Sequence, residues 1–175
     1  PTDAGANNVY DVTVQVSDGT LTDSQAIAVT VTAVNDNTPV INSNGGAATA
    51  AVNVAENSTA VTTVTATDAD LPAQTITYSI VGGADAALFM INAGTGALQF
   101  VSARNYEAPA DAGADNVYDV IVQADDGAGG TDTQAIAVSV TPVNEASPVI
   151  TSNGGGATAS VSIAENTSTV TSVVA

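Results

Sequence analysis

The chain has 175 residues, a net charge of −17 and a single cationic side chain, Arg104, with no His, Cys, Trp or Lys. Zinc sites, nucleophilic triads and phosphate loops of the P-loop type each need a missing residue, so none can be built from this chain alone. So large a negative charge is repelled by nucleic acid and by anionic lipid surfaces, which excludes both as partners, and nothing points to membrane insertion. The residues are 45% hydrophobic, 3% aromatic and 11% charged, a balance that favours a folded core of small aliphatic side chains over disorder.

Read from the N-terminus, the first feature is a repeat. Residues 1–12 recur with few changes as 109–120. After a one-residue insertion near Gly129 the spacing becomes 109, so that Val34-Asn35-Asp36 matches Val143-Asn144-Glu145 and 41–46 matches 150–155. This phase divides the chain into the end of one repeat (1–39), a whole repeat (40–148) and the start of a third (149–175), a window onto a tandem array. There is no run of 18 apolar residues, no basic-then-apolar leader and no initiator Met, so we expect an internal piece of a longer protein with further repeats at the same spacing.

Within the whole repeat, Gly45-Gly46 reads as a flexible loop, and beyond it apolar and polar residues alternate in short runs separated by turn residues. Seven strands are predicted, at 48–56, 60–67, 75–81, 88–91, 97–101, 116–125 and 132–143. In the sixth, Tyr118, Val120, Val122 and Ala124 face inward, and Asp119, Ile121 and Gln123 face out. The earlier copy keeps that phase with Tyr10, Val12, Val14 and Val16, and carries Thr13 where Ile121 stands, a swap that a solvent face tolerates. In the seventh, Ile136, Val138 and Val140 point inward against outward Ala137, Ser139 and Thr141. The fold class is therefore all-β, an Ig-like antiparallel β-sandwich with seven strands per repeat. Phe89, Phe100 and the Tyr residues fall at inward positions, which reads as core packing and not as a platform for sugar rings.

The acidic residues gather at motifs near repeat ends. Three clusters stand out: Val34-Asn35-Asp36-Asn37-Thr38-Pro39 between repeats, Ala55-Glu56-Asn57 ending the first strand, and Asp68-Ala69-Asp70 after the second. Asp3, Asp111, Asp115 and Asp132 read as loop solvation. To the clusters are added Tyr78-Ser79-Ile80, Phe89-Met90-Ile91 leading to Thr95-Gly96-Ala97-Leu98, Asn105-Tyr106-Glu107, and Val122-Gln123-Ala124-Asp125-Asp126-Gly127. In this order and spacing the sequence resembles the cadherin repeat, specifically the cadherin-like repeats of very large bacterial surface proteins.

That resemblance implies calcium (Ca2+) at the junction between consecutive repeats, stiffening an otherwise hinged rod. Calcium takes about six to eight oxygen ligands from carboxylates, Asn side chains and backbone carbonyls, which these motifs can provide. Carried over by position, Asp36, Asn37 and the backbone of Asn35 are linker ligands, and Asp68, Asp70 and Asp126 belong to the repeat that follows. Glu56 and Glu107 are the acids on the preceding-repeat side, and Asn144 with Glu145 form the second linker. The leading Asp of the family's linker is Ala33 at the first junction and Pro142 at the second, where Glu145 and Ala146 also replace Asp and Asn.

Two functions follow from the resemblance. The first is a calcium-rigidified structural spacer or filament-like repeat of an adhesin or matrix protein, secreted and extracellular or on the cell surface, with neighbouring repeats of the same polypeptide as its partners. The alternative is a calcium-dependent binding module that recognises polysaccharide or like repeats on identical chains; the lack of Trp weighs against sugar. An enzyme is not expected, since no Asp or Glu stands out as a proton donor for two-carboxylate chemistry. Without Cys or Lys, neither disulfides nor Lys-Asn crosslinks can hold the repeats together.

Overall fold

The computed structural model describes residues 3–71 and 73–175, so that Pro1 and Thr2, the first two positions of the repeated segment, lie outside it. The chain divides into two compact units, Pro1–Pro142 and Val143–Ala175.

The first unit opens with a hairpin. Its strands β1 (Val9–Ser17) and β2 (Thr22–Thr30) pair antiparallel, with Val9 opposite Thr30 and Ser17 opposite Thr22. Asp18 closes the turn by accepting hydrogen bonds from the Thr20 and Leu21 backbone N–H groups at 2.9 and 2.8 Å.

Nine further strands follow: β3 (Val40–Ile41), β4 (Thr49–Ala55), β5 (Ala60–Thr63), β6 (Ala66–Thr67), β7 (Thr77–Gly82), β8 (Phe89–Ile91), β9 (Ala97–Phe100), β10 (Val117–Asp125) and β11 (Thr131–Thr141). One sheet has the order β4-β11-β10-β7 and the other β5-β9-β8, with β3 and β6 forming a short pair. The all-β sandwich is as expected, with one parallel pairing, β4 beside β11 from Ala135↔Thr49 to Thr141↔Ala55. Parallel neighbours need a long crossover, and the body of the repeat lies between these two strands.

Two expectations change in detail. The strand expected at 60–67 breaks into β5, which pairs with β9, and β6, which pairs with β3. The chain crosses between them at Val64, whose N–H donates to the Gly96 carbonyl at 2.8 Å. Gly96 has φ +69, and a Cβ there would collide with the Val64 carbonyl, so only glycine fits. Second, Gly45-Gly46 is an ordered turn. The turn Ser43–Gly45 is held by Asn44, which donates to Gln134 Oε1 at 3.0 Å and accepts from the Thr62 hydroxyl at 2.9 Å. Gln134, only 1% exposed, donates in turn to the Ser43 and Ala47 carbonyls at 3.2 and 2.8 Å. A buried amide must satisfy both its ends, and here those partners fix the loop.

The core lies between the two sheets. Tyr118, Val120, Val122 and Ala124 on β10 are at most 1% exposed, and Ile136, Val138 and Val140 on β11 are buried with them, in the phase the alternation predicts. Phe100 stacks on Phe89 with centroids 4.6 Å apart and meets Tyr118 edge-on at 5.2 Å, tying the sheets together. Arg104 covers this cluster from above the Phe100 ring, its Nε–H donating to the Ser102 carbonyl at 2.8 Å. On the hairpin the same alternation has no second sheet over it among the described residues, and Tyr10, Val12, Val14 and Val16 are 40, 47, 44 and 68% exposed.

Three of the acids expected to solvate loops organise them instead. Asp111, buried, accepts from the Asp115 and Asn116 N–H groups at 2.9 and 3.0 Å, and Asp3 does the same for Asn7 and Asn8 at 2.8 and 3.2 Å. Asp132 accepts from Ile41 N–H at 2.8 Å, anchoring β3. A carboxylate that gathers several backbone donors is more valuable as a turn fastener than in free water.

In the Val143–Ala175 unit the turn Ser152–Gly154 repeats part of the bonding around Ser43–Gly45. Thr171 donates to Asn153 as Thr62 does to Asn44, and Thr151 N–H donates to the Val174 carbonyl at 2.9 Å as Asn42 N–H does to that of Thr65.

Candidate functional site

The linker between β2 and β3 is short and polar, and its three amide or acid side chains meet two loops of the following repeat. One is the loop after β6, carrying Asp68, Asp70 and Gln74. The other is the β10–β11 turn, carrying Asp126. Their contacts give the site its form.

Asp70, 5% exposed, accepts twice from Asn37: the side-chain amide lies 2.6 Å from Oδ1 and the backbone N–H 3.2 Å from Oδ2. The Asn37 amide beside it holds the Asp70 carboxyl below the usual carboxylate range. The same Nδ2 donates to Asp36 Oδ1 at 3.0 Å. Asp126, equally buried, accepts from the Ala128 and Gly130 N–H groups at 2.7 and 2.9 Å, and the Ala128 N–H is the chief reason its pKa is lowered. A Cβ at Gly130 would displace the Asp126 carboxylate and lie 3.1 Å from the Thr38 Cα, so glycine leaves room for that carboxylate.

Asn35 joins the two loops. Its Nδ2 donates to Asp126 Oδ2 at 3.2 Å and its Oδ1 accepts from Gln74 Nε2 at 2.7 Å, so the side chain, and not only the backbone, takes part. Asp68 accepts from the Asp70 N–H through Oδ1 at 2.9 Å, whereas its Oδ2 is buried with no hydrogen-bond partner. Gln74 Oε1 is in the same condition.

The structure thus brings Asn35, Asp36, Asn37, Asp68, Asp70 and Asp126 together. Among the described residues no three acidic side chains gather closely enough to hold an ion by themselves, because amides stand between the carboxylates. The set nevertheless offers hard oxygen ligands, four carboxylates and the neutral carbonyls of two Asn residues, and a buried carboxylate oxygen without a donor is the group a hard cation satisfies. The residues present fit calcium.

Glu56 and Glu107 lie toward the opposite end of β11. Glu56, buried just beyond β4, accepts from the Tyr106 N–H at 2.9 Å, and its own N–H donates to the Thr141 carbonyl at 3.0 Å. Glu107, adjacent to Tyr106, is exposed, with its N–H donating to Asn105 at 2.8 Å. Asn144 and Glu145 are exposed residues of the second unit. Sequence reasoning missed Gln74, whose neighbours Leu71, Ala73 and Thr75 give no motif, and Gly130, which reads as one of several turn glycines.

A family model, that of the cadherin domain, matches residues 50–141. This is more than half of the chain, which belongs to the cadherin domain family. Among solved structures, mouse clustered PcdhgC3 EC1-3 is 25% identical over 79% of this chain and 45% of that one, with a TM-score of 0.59. PcdhgB3 EC1-4 is 25% identical over 86% of this chain and 36% of its own, at 0.61. Protocadherin gammaB7 EC3-6, a cis-dimer structure, is 26% identical over 85% and 36%, at 0.58. The chain spans less than half the length of each of these. No curated protein matches it. Cadherin domains are extracellular, non-enzymatic adhesion modules. No helix among the described residues is long and apolar enough to cross a membrane.

Proposed function

We propose that this chain is part of a tandem array of cadherin-like repeats that calcium stiffens into an extracellular spacer of an adhesin or matrix protein, of the kind found on bacterial surfaces. The observation that carries the reading is Asp68 Oδ2, a buried carboxylate oxygen without a donor, one hydrogen bond away from the Asp70–Asn37–Asp36 chain. Asp36, Asp68, Asp70 and Asp126, with the carbonyl oxygens of Asn35 and Asn37, would hold the ion between the linker and the repeat that follows. Glu56 and Glu107 are further candidate ligands of the whole repeat. The repeated turn chemistry at Asn44 and Asn153 supports the array, since one local structure recurs 109 positions along the chain.

An ion held between linker and repeat removes the freedom of the hinge, and rigidity over many repeats is what a spacer needs. Calorimetric titration of the 175-residue chain with calcium tests the proposal: saturable binding, lost in Asp68→Asn/Asp70→Asn, is expected, and no heat above dilution would overturn it. Recognition between like repeats is a second reading, favoured by the similarity to a protocadherin cis-dimer structure. Sedimentation with and without calcium separates the two, because a pure spacer stays monomeric in both.

A further inference from the structure

Three buried side-chain polar atoms lack a hydrogen-bond partner among the described residues, and two of them, Asp68 Oδ2 and Gln74 Oε1, lie on the single loop that follows β6. Buried carbonyl oxygens are almost always paired in folded proteins, so two exceptions on one loop beside one linker call for a common cause.

The orientation of the Gln74 amide is forced by its neighbours. An ionised carboxylate only accepts, so Asn35 must turn its Nδ2 toward Asp126 Oδ2, at 3.2 Å. That leaves Asn35 Oδ1 facing Gln74, which must answer with its Nε2, at 2.7 Å. The Gln74 carbonyl oxygen is then necessarily directed away from Asn35, and there it finds no donor. Flipping the amide to pair Oε1 would set two oxygens against each other at Asn35.

We propose that Gln74 is a further ligand of the junction cation, contributing its side-chain carbonyl Oε1; this rests on the reading of the junction as a calcium site. A neutral carbonyl raises the coordination number without adding charge. That suits calcium, with its six to eight ligands, and not magnesium, which demands a tight octahedron and keeps its waters. Gln74 therefore tunes selectivity as well as affinity. Its two ends do different work: Nε2 holds Asn35 against the repeat, and Oε1 meets the ion.

The test uses calcium calorimetry on wild type, Gln74→Ala, Gln74→Glu and Asp70→Asn, with terbium luminescence lifetimes in H2O and D2O to count bound waters. Melting curves in chelator establish that each variant is folded. Gln74→Ala should weaken calcium about three- to tenfold and admit one extra water to terbium. Gln74→Glu keeps an oxygen at that position and adds charge but loses the bond to Asn35, so it should bind calcium more tightly than Gln74→Ala, with no added water. If Gln74 only positions Asn35, Gln74→Glu loses the donor and weakens binding as Gln74→Ala does, with the water count unchanged; that result overturns the assignment. Unchanged affinity in both Gln74 variants, while Asp70→Asn abolishes binding, overturns this inference and leaves the junction reading standing. A wild type silent toward both ions overturns the two together.

Discussion

Asn37 and Asp70 are joined twice, amide to Oδ1 at 2.6 Å and backbone N–H to Oδ2 at 3.2 Å, so one carboxylate holds both the main chain and the side chain of the linker. Because the Asn37 amide also reaches Asp36, its hydrogens sit between two negative groups that would otherwise repel across the hinge. The linker conformation is therefore charge-dependent.

That dependence has a sign. The Asp70 and Asp126 carboxyls are held below the ordinary value of about 3.9. A depressed folded-state pKa adds stability that is present above the unfolded-state value and lost as pH falls through the folded-state one. Falling pH also relieves the general repulsion of a −17 chain, so the informative quantity is a difference. In urea unfolding with chelator present, the gap between wild type and Asp70→Asn should be constant from about pH 7 to 6 and shrink below about pH 4.

Calcium should raise the melting temperature, and magnesium should raise it less. A ligand that binds only the folded state adds about 2.7 kcal/mol at a hundred times its Kd. Replacing Asp68 and Asp70 by Ala should abolish the calcium-dependent rise, and Glu56→Ala should remove less of it. Glu56→Ala has a separate cost, since it strands the Tyr106 N–H, and in chelator it should lose about 1–3 kcal/mol by chemical denaturation.

Gln134 and Gln25 occupy the same repeat position, yet one is buried among three hydrogen-bonding groups and the other is exposed on the hairpin. Gln134→Leu leaves the Ser43 and Ala47 carbonyls and the Asn44 amide unsatisfied, and should cost about 2 kcal/mol or more in urea unfolding. Gln25→Leu should change stability by less than about 0.5 kcal/mol. Equal effects would show that the Asn44 turn is not what Gln134 holds.

A second internal control uses Val120 and Val12, again one repeat position in two settings. Val120→Ala opens a cavity in a closed core and should cost about 2 kcal/mol, whereas Val12→Ala on the open hairpin face should fall within about 0.5 kcal/mol. Denaturant midpoints of the two variants measure the contrast directly.

Alternation by twos needs no partner to be read, and that is why the facing of Tyr118 through Ala124 and of Ile136 through Val140 was evident from sequence: side-chain direction is a property of the extended backbone itself. The acids Asp36, Asp68, Asp70 and Asp126 were likewise visible, as residue types at family spacing. Pairing is another matter. That β4 runs parallel to β11, that the stretch 60–67 changes sheets at Val64, and that Val40–Ile41 is a strand at all depend on neighbours far along the chain. Only tertiary structure could separate buried Val120 from exposed Val12, because nearly identical local sequence takes its burial from whatever sheet lies opposite. The same holds for Gln74. Its meaning comes from a chain of hydrogen bonds that runs through Asn35 to Asp126, and a one-dimensional pattern cannot show which end of an amide is left without a partner once the other has been claimed.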